Sequence, residues 1–127
     1  MKYLGIDYGE KRIGIAVSDE EGMMAFPRTT LENSPAVLDD IAHLCKEENI
    51  QKIVLGVPVS FSGGQSEQAG ENIAFGEKLE QHAGIPVVHE NEVLSSKMAD
   101  ALGVKPEHRD QSAATIILQS WLDRMRK

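Results

Sequence analysis

Three carboxylates stand where acidic side chains could do chemistry. Asp7 follows a short apolar stretch, Glu92 follows another, and Asp110 precedes an apolar stripe with helical spacing. Carboxylate oxygens are the hard ligands that Mg²⁺ and Mn²⁺ prefer. Two such ions about 4 Å apart can activate a water and stabilise the leaving oxygen in phosphodiester cleavage. If the fold gathers these three side chains, the sequence predicts a metal-dependent hydrolytic site.

Each of the three carboxylates also has a purely structural interpretation. Asp7 could form a turn by bonding its own backbone. Glu92 could be a solvated residue at a strand end. Asp110 could be an ordinary helix N-cap, a position that aspartate fills well. These alternatives stay open for each residue alone, and only the convergence of the three favours a site.

The first third of the chain predicts an antiparallel meander. Six residues, 7–12, separate two apolar stretches and fit a hairpin connection. Pro27 places part of the third stretch at a sheet edge or a bulge, because proline cannot donate a ladder hydrogen bond. The predicted strands are 3–6, 13–17 and 23–31.

The rest of the chain predicts α/β crossovers. Ser34 and Pro35 favour a helix start, and a stripe at helical spacing follows. The apolar stretches 53–57 and 85–89 favour buried strands. Helices are predicted over 66–83 and 94–102 and from Asp110 or Gln111 onward. The stripe of the first helix is Val37, Leu38, Ile41, Leu44 and Cys45; that of the last is Ala114, Ile117, Leu118, Trp121 and Met125.

The order of elements predicts an α/β fold with a mixed five-stranded sheet and helices on both faces. In such sheets, sites gather at the carboxyl ends of the strands. We therefore expect Asp7 and Glu92 at one edge, provided that their strands are parallel. Ala113 and Ala114 share a helix face with Asp110, and their small size lets the helix approach the sheet.

Composition bounds the class of protein. The length of 127 residues favours one domain, and 41% hydrophobic with 26% charged residues is typical of a globular chain. The longest apolar run, 53–59, is too short to cross a membrane, and no signal peptide is predicted. A single cysteine excludes an internal disulfide framework, which favours a reducing, cytoplasmic location.

The charge balance argues against a strong general affinity for nucleic acid. The formal net charge is −7, whereas nucleic-acid binders usually carry a basic surface. From Lys97 onward the chain has six basic and four acidic residues, a weak local excess of positive charge that also fits a solvated helix.

The loop from Gly56 to Ser66 is rich in glycine and serine and precedes a helix, an arrangement that can hold a phosphate.

Four segments resemble the YqgF/RuvX family of bacterial RNase H-like proteins, described as Holliday junction resolvases and pre-16S rRNA nucleases. The resemblance extends over nearly the whole chain in the right order. The segments are Asp7-x-Gly9-x-x-Arg12-Ile13-Gly14-x-Ala16-x-Ser18-Asp19, Gly56-x-Pro58, Asn91-Glu92-Val93-Leu94-Ser95-Ser96 and Asp110-x-x-Ala113-Ala114.

The resemblance implies an RNase H-like fold and divalent-metal nuclease chemistry with Mg²⁺ or Mn²⁺, two ions being expected. Asp7, Glu92 and Asp110 would be both the catalytic and the metal-binding residues. Nucleic-acid contacts would come from Arg12, Gly56, Pro58, Gly63, Gly64, Ser66, Lys105 and Arg109.

Three departures from the family pattern bear on substrate affinity. Asn91 stands where the family has aspartate, and Val93 stands where it has arginine. The segment before Asp110 carries few basic residues, and the loop after Gly56 lacks the usual Asn and Asp. The three acidic residues match the family pattern, whereas several basic and polar residues around them do not.

Three functions follow from these observations. The first is a nuclease that processes the 5′ end of pre-16S rRNA. The second is a Holliday junction resolvase-like endonuclease on branched DNA, which should be a symmetric dimer. The third is a catalytically degenerate module that binds RNA or ribosome-assembly partners. We expect a monomer or a homodimer and no membrane partner.

Overall fold

The computed structural model describes residues 1–57, 67–91 and 109–125, and side chains within 1–57, 70–90 and 113–125. The predicted helix at 94–102 and most of the loop after Gly56 lie outside these ranges. In chain order the described elements are β1 (Tyr3–Asp7), β2 (Arg12–Ser18), β3 (Ala25–Glu32), α1 (Val37–Glu48), β4 (Lys52–Val57), α2 (Glu67–Ala83), β5 (Val87–Asn91) and α3 (Arg109–Met125).

The five strands form one mixed sheet in the order β3-β2-β1-β4-β5. The meander β1–β2–β3 is antiparallel, whereas β4 pairs with β1 and with β5 in parallel. The predicted α/β class, the five strands and the helices on both faces are confirmed. Because β1 is central and parallel to β5, the carboxyl ends of β1, β4 and β5 share one edge.

Side-chain alternation along β1 divides the core into two layers. Leu4 and Ile6 are fully buried under α1 and α2. Tyr3 packs on the opposite layer, against Trp121 of α3, with ring centroids 5.1 Å apart. Cys45 lies in the first layer and is 2% exposed, which confirms the prediction that it is a core residue.

The edges of several elements differ from the predicted ones for local reasons. α1 begins at Val37, because Ser34 forms a short turn in which its Oγ accepts from the Ala36 amide at 3.3 Å. β3 begins at Ala25, because the amides of Met23 and Met24 donate to the Asp19 carboxylate.

Two predictions of burial were wrong. The strand predicted at 85–89 runs from Val87 to Asn91 and lies at the sheet edge, so Val87 and Val88 are only half-buried. Met125 is 56% exposed, because the buried stripe of α3 ends at Leu122. Pro27 lies on the edge strand β3, opposite Ala16 at a register shift, as predicted.

A close approach between β1 and α3 occurs at Gly5. A Cβ atom at this position would lie 2.7 Å from Leu118 Cβ and 2.9 Å from the Ala114 carbonyl oxygen. Both neighbours belong to the helix and are buried, so neither can move without shifting α3. The glycine therefore sets the distance between the central strand and the helix.

Gly5→Ala is expected to destabilise the fold by about 1–3 kcal/mol, because the added methyl group overpacks the interface with α3. Equilibrium urea unfolding measures the change. Gly70→Ala is the matched control: nothing lies within 4 Å of its Cβ position, and it should stabilise α2 by about 0.5–1 kcal/mol. Equal unfolding midpoints for the two variants would contradict the close approach.

The Cys45 thiol should be unreactive in the folded protein. Burial raises its pKa to about 11, so only roughly a thousandth is thiolate at pH 8, and the thiolate is the nucleophile. Iodoacetamide at pH 8 should label this single cysteine in urea and not in native buffer, as read by mass spectrometry. Native labelling at the rate of a free thiol would contradict the burial.

No helix in the described ranges has the length and apolar character needed to cross a membrane.

Candidate active site at the carboxyl edge of the sheet

Asp7 is the last residue of β1 and lies at the carboxyl edge of the sheet. It is partly exposed, whereas the three residues before it are buried. Since Gly5 faces α3, alternation places Asp7 on that same face. The sequence of β1 therefore positions a carboxylate beside α3 where the strand leaves the core.

The row of the sheet that contains Asp7 also contains a second carboxylate. Ile6 pairs with Leu55, so Asp7 lies level with Gly56, and Gly56 pairs with Glu90 on β5. Val88 packs against the α3 layer, and Glu90, two residues on, faces the same way. Asp7 and Glu90 thus flank a glycine in one row on one face.

The first turn of α3 lies at this same edge. Ala114 and Leu118 lie over Gly5, and Trp121 lies over Tyr3, so the helix runs antiparallel to β1. Its first residues, with Asp110 among them, are thereby placed at the end of the sheet that Asp7 occupies. Ala113 and Ala114 are buried, in agreement with the predicted approach of small residues to the sheet.

Arg12 begins β2 and lies near the same edge, because Asp7 pairs with Gly14. The turn before it is fixed by Asn33, whose amide group donates to the Gly9 carbonyl at 2.8 Å. The backbone N–H of Asn33 also donates to the Lys11 carbonyl at 2.9 Å. An asparagine 21 positions from Arg12 thus holds the turn that links the two site residues.

The start of the glycine-rich loop is held by a buried side chain of α2. Asn72 is 0% exposed, and its Nδ2 donates to the Gly56 carbonyl at 2.8 Å. Its Oδ1 is buried without a hydrogen-bond partner among the described residues. Nearby, Tyr8 packs against Phe75 with ring centroids 4.6 Å apart, which joins the end of β1 to α2.

Several predicted site residues lie outside the described parts of the chain. Arg109 and Asp110 are placed by their backbone alone, as the first two residues of α3. Glu92 directly follows β5 and lies outside the described ranges, as do Pro58, Gly63, Gly64, Ser66 and Lys105.

Residues that the sequence did not single out also take part in this edge. Glu90, Asn72 and Asn33 are polar groups bonded at or beside the strand ends. Alternation in β5 was the available signal for Glu90, since it shares the face of Val88. For the two asparagines the sequence held no such signal, because their partners are backbone carbonyls distant in the chain.

Of the three predicted metal-binding residues, Asp7 is the one whose side chain lies in the described ranges. Among them, no group of three or more His, Cys, Asp or Glu side chains could hold a metal ion. The carboxylate of Asp7 is a hard donor of the kind that Mg²⁺ and Mn²⁺ take. The first turn of α3 brings the backbone of a second predicted ligand to the same edge.

The fold and this acidic edge define an α/β protein of the RNase H-like class. Comparison with solved structures agrees: RuvC of Thermus thermophilus superposes with a TM-score of 0.61 at 14% identity, over 99% of this chain and 97% of that one. A fowlpox virus resolvase, solved with Holliday junction DNA, gives a TM-score of 0.60 at 13% identity over the full length of both chains.

The chain belongs to the RuvX family. The sequence model of that family, described as a Holliday junction resolvase, matches residues 1–124. A relative from Syntrophus aciditrophicus, named "Putative pre-16S rRNA nuclease", is 39% identical over 97% of this chain and 89% of its own length. A relative of the same name from Chloroflexus aggregans is 39% identical over 97% and 94%.

Asn72→Asp should destabilise the fold by about 2–4 kcal/mol at pH 7.5. The variant loses the donor to the Gly56 carbonyl and places an ionisable group in the core. Burial raises the pKa of the introduced carboxyl above its unfolded value of about 3.9. The loss is therefore full above the folded pKa and shrinks as the pH falls, so it should be smaller at pH 5.

Urea midpoints of Asn72→Asp at pH 7.5 and pH 5, each relative to the wild type, measure this dependence. Asn33→Asp is the matched control, because it removes the same kind of amide-to-carbonyl bond at a half-buried site. A solvated carboxyl there should give a smaller loss with little pH dependence. An identical response of the two variants would show that Asn72 is not buried as described.

Proposed function

We propose that residues 1–127 form one nuclease domain that hydrolyses phosphodiester bonds in RNA, with the 5′ end of pre-16S rRNA as substrate. Family membership and the names of the relatives support a nuclease. The structural observation that carries the proposal is the position of Asp7. Its carboxylate lies at the carboxyl end of the central strand β1, on the side of the sheet that the first turn of α3 covers.

The proposed site uses Asp7, Glu92 and Asp110 as its acidic residues. Asp7 is held on the central strand, so it is a fixed point relative to which a phosphate is placed. Close packing at Gly5 fixes α3, and with it the backbone of Asp110. Arg12, at the same edge and exposed, is the proposed phosphate contact on the β2 side.

Divalent cations, Mg²⁺ or Mn²⁺ and two in number, are the proposed cofactors. Bound there, they would lower the pKa of a water and neutralise charge on the phosphate. The role of this chain's residues is to supply hard oxygen donors on a rigid strand and helix. Bound at this edge, the cations would also reduce the repulsion between an anionic substrate and a chain whose net charge is −7.

The nuclease proposal predicts Mn²⁺-dependent cleavage of a precursor RNA that carries the 16S 5′ leader. Asp7→Asn keeps the size of the side chain but removes a charged ligand, so it should lower the cleavage rate by roughly 100-fold or more. Denaturing gel electrophoresis of end-labelled RNA measures the rate. The loss should appear at saturating Mn²⁺. The circular dichroism spectrum of the variant should match that of the wild type, which shows that folding is unaffected.

Glu21→Gln is the matched control, because Glu21 is an exposed carboxylate in the turn between β2 and β3, at the opposite end of the sheet from Asp7. It should cleave at the wild-type rate. Equal cleavage by wild type and Asp7→Asn would assign the activity to a contaminant and overturn the proposal. Binding of RNA without any cleavage would instead support the degenerate binding module.

A resolvase acting on branched DNA is the second candidate. It is favoured by the description of the matching family and by the fold of the fowlpox virus resolvase. Cleavage of a synthetic four-way junction, compared with cleavage of the precursor RNA, separates the two. Since symmetric junction cleavage requires a symmetric dimer, light scattering that shows a monomer would count against this candidate.

The proposed location is the cytoplasm. The chain has one cysteine, and its thiol is free and buried in the core. A reducing compartment suits such a chain.

A further inference from the structure

An ion pair joins the far end of α3 to the acidic edge. Arg124 Nη2 donates to Glu90 Oε1 at 2.9 Å. The Glu90 side chain is 5% exposed, whereas that of Arg124 is 55% exposed. One partner is therefore fixed inside the protein while the other faces solvent.

The location of the pair ties it to the candidate site. Glu90 lies level with Asp7 and on the same face, with Gly56 between them. Neighbouring strands are about 4.8 Å apart, so the Asp7 and Glu90 backbones are separated by about 10 Å. The carboxylate that pairs with Arg124 is therefore in the same row of the sheet as Asp7, two strands away.

Stability alone does not account for this pair. A buried carboxylate loses much of its hydration, and its ion pair often contributes little net stability compared with apolar residues of the same size. What the pair does achieve is orientation. A guanidinium has five N–H donors in a planar fork, and the bond to Glu90 leaves others for a second acceptor.

We propose that Arg124, oriented by Glu90, contacts a phosphate of the nucleic acid on the β5 side of the site. This inference rests on the proposed function, because it assumes a nucleic acid at the acidic edge. Arginine suits the role, since its fork matches phosphate oxygens in a bidentate arrangement. Because the pair is neutral overall, Arg124 also keeps Glu90 from adding to the negative charge of this row.

The chain offers a matched control for the experiment. Arg28 is 41% exposed and pairs with Glu48 at 3.4 Å, so it is a second arginine in an ion pair with a glutamate. It lies on β3, the opposite edge strand of the sheet. Arg28→Gln removes the same charge as Arg124→Gln from the other side of the sheet.

Binding is measured by fluorescence anisotropy with a labelled RNA stem–loop that carries a single-stranded 5′ leader, in EDTA to prevent hydrolysis. Arg124→Gln should weaken binding by about tenfold, the loss of one charge-assisted phosphate contact. The slope of log affinity against log salt should fall in magnitude by about 0.7–0.9. Arg28→Gln should stay within about twofold of wild type with an unchanged slope.

Two further variants distinguish orientation from charge. Arg124→Lys keeps the charge but loses the planar fork, so its affinity should lie between wild type and Arg124→Gln. Glu90→Gln should weaken binding by releasing Arg124, and the double variant should bind no more weakly than Arg124→Gln alone. Circular dichroism and urea midpoints check folding; should Glu90→Gln fail to fold, the arginine variants still decide.

Kinetics with Mn²⁺ and the precursor RNA give a second measure. Arg124→Gln should raise KM with little change in kcat, because the contact is remote from the reacting phosphate. Equal affinity and salt slope in Arg124→Gln and Arg28→Gln would overturn the inference while leaving the proposed function intact. Failure of the wild-type chain to bind or cleave RNA and junction DNA would overturn the proposed function, and this inference with it.

Discussion

Contact between the central strand and the last helix governs the arrangement of this protein. Gly5 has no side chain, so the α3 backbone at Ala114 comes within van der Waals reach of β1. Buried side chains further along the helix fill the rest of that face. Since packed interiors transmit small displacements, the spacing at this contact decides where the first turn of α3 lies relative to Asp7.

A second constraint is the cost of collecting negative charge at one end of a sheet. Carboxylates lose hydration as they approach the core, and like charges repel each other. The structure meets this cost in two ways. Asp7 is partly exposed where β1 ends, and the more deeply buried Glu90 is neutralised by Arg124. Strand β4 separates the two carboxylates, and the Ile117 side chain of α3 fills the space over Gly56 between them.

The family motifs and the physical signals in the sequence predicted much of the fold. Alternation, turn residues and helical periodicity predicted the meander, both crossover helices and the mixed sheet, because each signal acts over a few neighbouring residues. The limits of β5 and the start of α1 were missed, since edge exposure at Val88 and the turn at Ser34 depend on distant or competing contacts. The acidic residues could be named from their spacing, whereas the row that joins Asp7 to Glu90 required the strand register.

The sequence by itself determined that Asp7 ends the first strand and that Asp110 lies in the first turn of the last helix, because strand and helix periods are local properties of the chain. Only the tertiary structure decided which groups from distant parts of the chain contact one another. Asn72 bonds a carbonyl 16 positions away, and Arg124 bonds a glutamate 34 positions away. Neither partner follows from a local pattern, since parallel pairing and helix packing set those distances.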